Sequence, residues 1–356
     1  MSRMGFDVNR IPFEFSAFPA RWAPSIAAIF LAAISLGSGY VALDRNSPMT
    51  AAIIAVAGTA LVVRSAAWLG TKGVSSMRIG RVASTNLVAK RRSYRHRDPR
   101  MWIVAHMDSK SQTIPMLVRV ISIAAFLLLF GSMIALFIPI LILRSGFGMP
   151  LSETTMHNLL STVHVLSIMS AIALVPVMLC FIGNASKGAL DNATGVATVI
   201  LAAEMIGDRE DVAILITSAE ELLMAGARAF AKSVSPSIAI NCDTIDDDGR
   251  FLFMASGKVS APLSAAVDRA AKKCSVERHS RVSSNRIRGQ ITPMIPGIVA
   301  DNVVFTSEGW QSFTISRGNL GTLSRVHTSS DRAERIEGTG IVHAARLIAA
   351  IVEELS

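Results

Sequence analysis

The chain has 356 residues, 51% of them hydrophobic and 17% charged, with 35 Lys and Arg against 26 Asp and Glu for a formal net charge of +9. That is too apolar for an ordinary soluble enzyme and points to membrane spans, where excess Lys and Arg reports topology before it reports nucleic acid. Cys180, Cys242 and Cys274 lie far apart and show no disulfide framework or Cys-based zinc motif, which fits a reducing compartment.

Residues 1–21 carry Arg3, Arg10 and Arg21 and read as an N-terminal cytoplasmic segment. The first apolar run, WAPSIAAIFLAAISLGSGYVAL from Trp22 to Leu43, is longer than the core of a signal peptide and reads as a retained span. A second run, Pro48 to Gly70, follows after only DRNS (44–47), so residues 22–70 form a transmembrane helical hairpin. Arg64 falls near its end, where the stem can snorkel to the headgroup layer. Residues 71–114 are basic, with Lys72, Arg78, Arg81 and the run KRRSYRHRDPR (90–100), before MWIVA (101–105) reads as a buried strand running into His106. The basic run reads as a solvated loop that sets topology rather than a lipid-headgroup patch. No aromatic platform accompanies it, so no nucleic-acid partner is expected. Pro115–Leu143 and Leu159–Ile182 are two more apolar runs, giving a second transmembrane hairpin over 115–183.

From 184 to 356 the pattern changes. A helix is expected over 189–206, a strand over 212–217, a helix over 222–233, strands over 237–245 and 250–256, a helix over 260–274, a strand over 311–316 and an amphipathic helix over 340–355. Alternating strands and helices predict an α/β fold, a mostly parallel mixed sheet with helices on both faces. The sheet is assembled from 71–114 and 184–356, with the second hairpin inserted between them. The distribution of Lys and Arg places both termini, 71–114 and the region after 184 in the cytoplasm, and makes the chain a four-span integral membrane protein with the bilayer as a partner.

Polar, metal-competent residues fall just after the expected strands: His106 and Asp108, the pair Glu220 and Glu221, and Asp243. Open α/β sheets carry their sites there. Each residue alone has a plainer reading. His106 suits a structural histidine, Asp191 a helix cap, Glu220 and Glu221 the acids of a first helical turn, Asp243 a turn, and His327 a loop. Together, two histidines and three carboxylates suit two divalent metals sharing a bridging carboxylate, with one further carboxylate free to take a proton. An HxD spacing also lets a carboxylate accept the second ring N–H of a metal-bound histidine.

The segments AHMDS (105–109), GALDNATG (188–195), SAEE (218–221), INCD (240–243) and VHTSSD (326–331) resemble, in order, the five signature segments of the di-zinc aminopeptidase and glutamate carboxypeptidase family, bacterial leucyl aminopeptidases among them. The resemblance covers 71–114 and 184–356 and marks this chain as a membrane-embedded variant. It implies a zinc-peptidase fold with two Zn2+ ions. His106 and Asp243 would bind one, Glu221 and His327 the other, and Asp191 both. Glu220 would be the general base, and Asp108 would orient His106. The implied activity is peptide hydrolysis, with an aminopeptidase expected.

Another amide hydrolase or a glutaminyl cyclase is the alternative enzyme, and a non-catalytic receptor or scaffold on the same fold the alternative of another class. A transporter is disfavoured by the few ionisable residues in the spans, Arg64 and His164. Where many family members have Asp followed by His, this chain reads ADN (300–302), so Asp301 matches and Asn302 departs; Asp301 is expected in a structural or supporting place. No segment matches a substrate-terminus pocket, and none assigns an oligomeric state.

Overall fold

The structure is a computed structural model describing residues 1–94, 98–145, 152–276, 289–294 and 298–356. Residues 95–97 of the basic run lie outside the described residues. In chain order the elements are β1 (Phe6–Ser16), α1 (Phe18–Leu43), α2 (Pro48–Trp68), α3 (Val74–Ser76), β2 (Arg81–Arg91), β3 (Met101–His106), β4 (Ser111–Gln112), α4 (Met116–Arg144), α5 (Glu153–Ala173), α6 (Val175–Met178), β5 (Ile182–Gly183), α7 (Thr194–Met205), β6 (Val212–Thr217), α8 (Ala225–Ala231), β7 (Ile238–Ile245), β8 (Arg250–Ala255), α9 (Ala261–Val276), β9 (Ile291–Pro293), α10 (Asn302–Ser307), β10 (Gln311–Gly318), α11 (Leu320–Arg325) and α12 (Thr339–Glu354). They group into two units. One comprises Met1–Phe15, Gly80–Ser111 and Gly183–Ser356, the other Ser16–Ile79 and Gln112–Ile182.

The first unit is built on an eight-stranded sheet in the order β1-β2-β6-β3-β7-β10-β8-β9. The four central strands, β6, β3, β7 and β10, run parallel. β2 pairs antiparallel with β6 and β8 antiparallel with β10, while β9 runs parallel to β8. Every residue of β3 and β6 is buried, as expected for parallel strands covered on both faces. Alternation along β3 divides the core in two. Ile103 and Ala105 pack with Val199 and Ala202 of α7, Val267 of α9 and Ile348 and Ile351 of α12. Trp102 and Val104 pack on the other face with Phe230 of α8, Phe305 of α10 and Trp310. Trp102 meets Phe230 edge-on at 4.8 Å between ring centroids.

Two expected helices begin later than the sequence suggests. Residues 189–193 form a wide turn in which Asp191 and Asn192 leave helical geometry, joined by a cis peptide bond, and α7 starts only at Thr194. α8 starts at Ala225 because Leu223 and Met224 adopt left-handed backbone with φ 67° and 55°. The N-terminal segment, expected only as a lead-in, supplies the edge strand β1.

The second unit contains four helices long and apolar enough to cross a membrane: Phe18–Leu43, Pro48–Ser76, Met116–Arg144 and Glu153–Met178. Phe126, Phe130, Met133 and Phe137 of α4 form its core with Ala28 and Ala32 of α1 and Leu160 and Val163 of α5. α1 and α5 approach closely at small residues. Ser35 Oγ donates to the Ser167 carbonyl at 3.1 Å, and a Cβ on Gly39 would stand 2.0 Å from Ser167 Oγ. The outer faces are apolar, including Ile53, Leu61, Leu127 and Leu128.

Candidate metal centre

His106 is the last residue of β3, paired in register with Thr217 at the end of β6, and Asp243 lies near the end of β7. Both therefore sit at the carboxyl ends of parallel strands, where backbone geometry delivers side chains to a common rim. The other residues come from turns that buried hydrogen bonds hold in place.

Asp191 is fixed from two sides. Asp331 Oδ1 accepts the Leu190 N–H at 2.6 Å and its Oδ2 the Asp191 N–H at 3.3 Å. Asn192 fastens the same turn to the end of β7: its Oδ1 accepts the Gly195 and Thr244 amides at 3.1 Å each, and its Nδ2 donates to the Cys242 carbonyl at 2.9 Å. Glu220 and Glu221 leave β6 through Ala219, whose φ of 57° is left-handed. Asp108 Oδ1 accepts the Glu220 amide and Oδ2 the Glu221 amide, both at 3.1 Å. Asn86 supports the start of the loop, accepting from Ser218 N at 3.0 Å and donating to Gly226 O at 2.9 Å. His327 itself has φ 63°. Non-glycine residues held in this region cost roughly 1–3 kcal/mol each and cluster where surrounding bonds over-determine a functional shape.

The six expected residues at the centre, His106, Asp191, Glu220, Glu221, Asp243 and His327, are brought together and are all buried. Asp191 divides its oxygens: Oδ1 lies 3.1 Å from His106 Nε2 and Oδ2 lies 2.9 Å from His327 Nε2. Asp243 Oδ1 stands 3.7 Å from His106 Nε2, and Glu221 Oε1 stands 3.1 Å from His327 Nε2. Two sets result, His106–Asp191–Asp243 and Asp191–Glu221–His327, whose ligand atoms within each set lie within 4.8 Å of one another. Glu220 Oε2 lies 4.0 Å from His106 Nε2 and belongs to neither set.

His106 Nε2 and Glu221 Oε1 are buried and have no hydrogen-bond partner among the described residues, despite these short approaches. A buried nitrogen in one set and a buried oxygen in the other, each without a hydrogen bond, fit a cation at each position, and imidazole nitrogen with carboxylate oxygen is a donor set that zinc accepts. On the far side of the His106 ring, Nδ1 lies 3.0 Å from the Asp108 carbonyl oxygen and 3.7 Å from its carboxylate. The Asp108 backbone is thus nearer the ring, and its side chain is engaged by the Glu220 and Glu221 amides.

Burial pushes the Glu220 carboxyl well above the usual range. The His106 charge opposes that shift, and Glu221, Asp243 and Asp301 reinforce it. Asp191 moves the other way: burial alone would raise it, but His106 and His327 on its two oxygens hold it below the usual range. Both histidines are raised against the opposing effect of burial, His106 by Glu220, Asp108, Asp191 and Asp243, and His327 by Glu221 and Asp191. A carboxylate cluster that draws protons onto two imidazoles would equally draw a divalent cation, which displaces those protons on binding.

Asp301 is fully buried; its Oδ2 accepts the Thr217 hydroxyl at 2.5 Å, and burial raises its carboxyl to about 7. Asn302, the departure from the family pattern, is tied into the sheet, its Oδ1 accepting Thr314 Oγ1 at 2.8 Å and its Nδ2 donating to the Met254 carbonyl at 3.3 Å. Sequence reasoning gave no part to Asp331, Asn192, Asn86 or Lys110. Asp331 and Asn192 lie inside quoted motifs, which was the available signal. Nothing in the sequence pointed to Asn86 or to Lys110, whose Nζ lies 2.6 Å from Glu221 Oε2.

No curated protein matches the chain. Among solved structures it is similar to an aminopeptidase from Aneurinibacillus sp. strain AM-1 (14% identity, TM-score 0.44, covering 77% of this chain and 48% of that one). It is also similar to BSAP, a zinc aminopeptidase from Bacillus subtilis (17%, 0.44, 76% and 50%). A third is the glutaminyl cyclase from Macrostomum lignano (14%, 0.46, 78% and 74%). The chain spans about half the length of the first bacterial aminopeptidases it matches. The sequence model of peptidase family M28 matches residues 167–352, a stretch that includes Asp191, Glu220, Glu221, Asp243 and His327. With more than half of its residues matched in this way, the chain belongs to peptidase family M28.

Proposed function

We propose that this chain is a membrane-anchored, zinc-dependent peptidase, an aminopeptidase that binds two Zn2+ ions. The observation that carries the reading is the division of Asp191, one oxygen to each histidine. His106, Asp191 and Asp243 would hold one ion, and Asp191, Glu221 and His327 the other. When bound, such ions polarise the scissile carbonyl and make water acidic enough to attack it.

The protein's own part is proton handling and alignment. Glu220 takes the proton of the attacking water at Oε2 and returns it to the departing amine. Its burial and raised proton affinity suit a carboxylate that must hold that proton between the two transfers. The Asp108 carbonyl accepts His106 Nδ1–H, which leaves Nε2 with its lone pair directed inward. The Asp108 carboxylate holds the two adjacent glutamates by their backbones, so that neighbours of one residue type serve different ends.

Membrane attachment is supported by the four apolar helices, whose outward Ile53, Leu61, Leu127 and Leu128 would otherwise face water. The basic residues flanking them support cytoplasmic termini. The test is to purify the full chain in detergent, measure its zinc, and assay aminoacyl-peptide amides beside the Glu220→Gln variant. Hydrolysis by the zinc-loaded wild type, abolished in the variant with metal retained, is the expected result. A folded protein without zinc would favour the scaffold instead. Release of ammonia from N-terminal glutamine without peptide cleavage would favour a glutaminyl cyclase.

A further inference from the structure

Lys110 lies just beyond the Asp108 clamp, and its Nζ sits 2.6 Å from Glu221 Oε2 and 3.4 Å from the Glu221 carbonyl oxygen. The other carboxylate oxygen, Oε1, faces the opposite way, 3.1 Å from His327 Nε2, buried and without a hydrogen bond. The Glu221 side chain is 4% exposed and that of Lys110 16%, so little water competes for the pair. A carboxylate with both oxygens free can chelate a cation through two atoms or swing between neighbours. One whose outer oxygen is held by an ammonium in a low-dielectric place can offer only the inner one.

We propose that Lys110 is a positioning residue that holds Glu221 to single-oxygen ligation and so sets the affinity of the Asp191–Glu221–His327 position for a divalent cation. The proposal rests on reading the site as a two-metal centre. The His106–Asp191–Asp243 position shares Asp191 with this one but not Glu221, and its Asp243 Oδ1 accepts the Thr244 hydroxyl at 3.0 Å. Lys110 therefore bears directly on the position that contains Glu221. Partners that orient a ligand from behind are typically worth about 10- to 100-fold in metal affinity.

The experiment uses the full chain in detergent, stripped by a chelator and titrated with Zn2+ against a chromophoric competitor, with thermal unfolding followed in parallel. Wild type is expected to take up two ions. Lys110→Met is expected to keep one affinity unchanged and to weaken the other by about 10- to 100-fold. Lys110→Arg, which keeps the charge, is expected to restore the weakened affinity to within about threefold. Equal weakening of both positions in Lys110→Met, unchanged binding, or Lys110→Arg as weak as Lys110→Met each overturns the assignment. A folded wild type that takes up no Zn2+ overturns the two-metal reading itself, which separates that failure from a failure specific to Lys110.

Discussion

Replacing Asp108 with asparagine distinguishes two tasks for that side chain, orienting His106 or holding the glutamate pair. Its oxygens accept the Glu220 and Glu221 amides at 3.1 Å each, whereas His106 Nδ1 is nearer the Asp108 backbone carbonyl, at 3.0 Å, than the carboxylate, at 3.7 Å. Asparagine keeps one acceptor and turns an N–H donor toward the other amide. A hydrogen bond to a charged group is worth about 1.5–3 kcal/mol, and an amide left facing a donor adds to that loss. A local cost of about 2–4 kcal/mol follows, equivalent to roughly 30- to 900-fold in a rate or binding constant. It should fall on the glutamate loop, because the backbone carbonyl that meets His106 survives the substitution. The assay is Zn2+ titration together with kcat for an aminoacyl p-nitroanilide. The Glu221-containing position and kcat should weaken while the His106-containing position keeps its affinity. Loss of the His106-containing position with the other intact, or a wild-type kcat, would refute this division of labour.

Glu220→Gln should lower kcat by about 10²- to 10⁴-fold with zinc content unchanged, whereas Glu221→Gln should lose metal at one position; elemental analysis beside kinetics separates them. Asp331→Ala leaves the buried Leu190 and Asp191 amides without their acceptor and should cost about 2–6 kcal/mol at 1–3 per unsatisfied group, read as a lowered Tm. Trp102→Ala, emptying a fully buried ring site against Phe230, should destabilise by about 3–5 kcal/mol in denaturant unfolding. Asp247 accepts the Glu337, Gly338 and Gly340 amides and the Thr339 hydroxyl. Burial opposes the effect of those bonds, but they hold its carboxyl below the usual value. Its stabilisation is therefore present above the unfolded carboxylate pKa of about 3.9 and lost as pH falls through the lower folded value. The Tm gap between wild type and Asp247→Asn should be full near neutral pH and close in acid.

The parts legible in the sequence were those that burial writes as unbroken apolar runs. The apolar stretches of the long helices and the strands at 101–105 and 212–216 are of this kind, because a parallel strand covered on both faces is filled with apolar side chains until it reaches the rim. β1, FDVNRIPFEFS, mixes charged residues and a proline as an edge strand can, and so carries no such run. The start of α8 was misplaced because left-handed backbone at Leu223 and Met224 has no compositional mark. At the centre, the side chains that meet the rim could be named because motifs hold them. The residues behind them could not, since Asp331 reaches Asp191 and Asn86 reaches Ser218 across more than a hundred residues of chain.

The position of β3 between β6 and β7 has a consequence for how the protein is made. The strand Met101–His106 leaves the ribosome before α4 and α5, yet both of its neighbours lie in residues 212–245. At typical elongation rates of ~5–20 residues per second it waits on the order of ten seconds with both hydrogen-bonding edges bare. A strand whose first five residues are all apolar is, in that condition, a template for wrong pairing. Yield in the cell should therefore depend on whatever shelters a nascent segment during that interval, and slower translation across 107–211 should lengthen the exposure without altering the finished molecule.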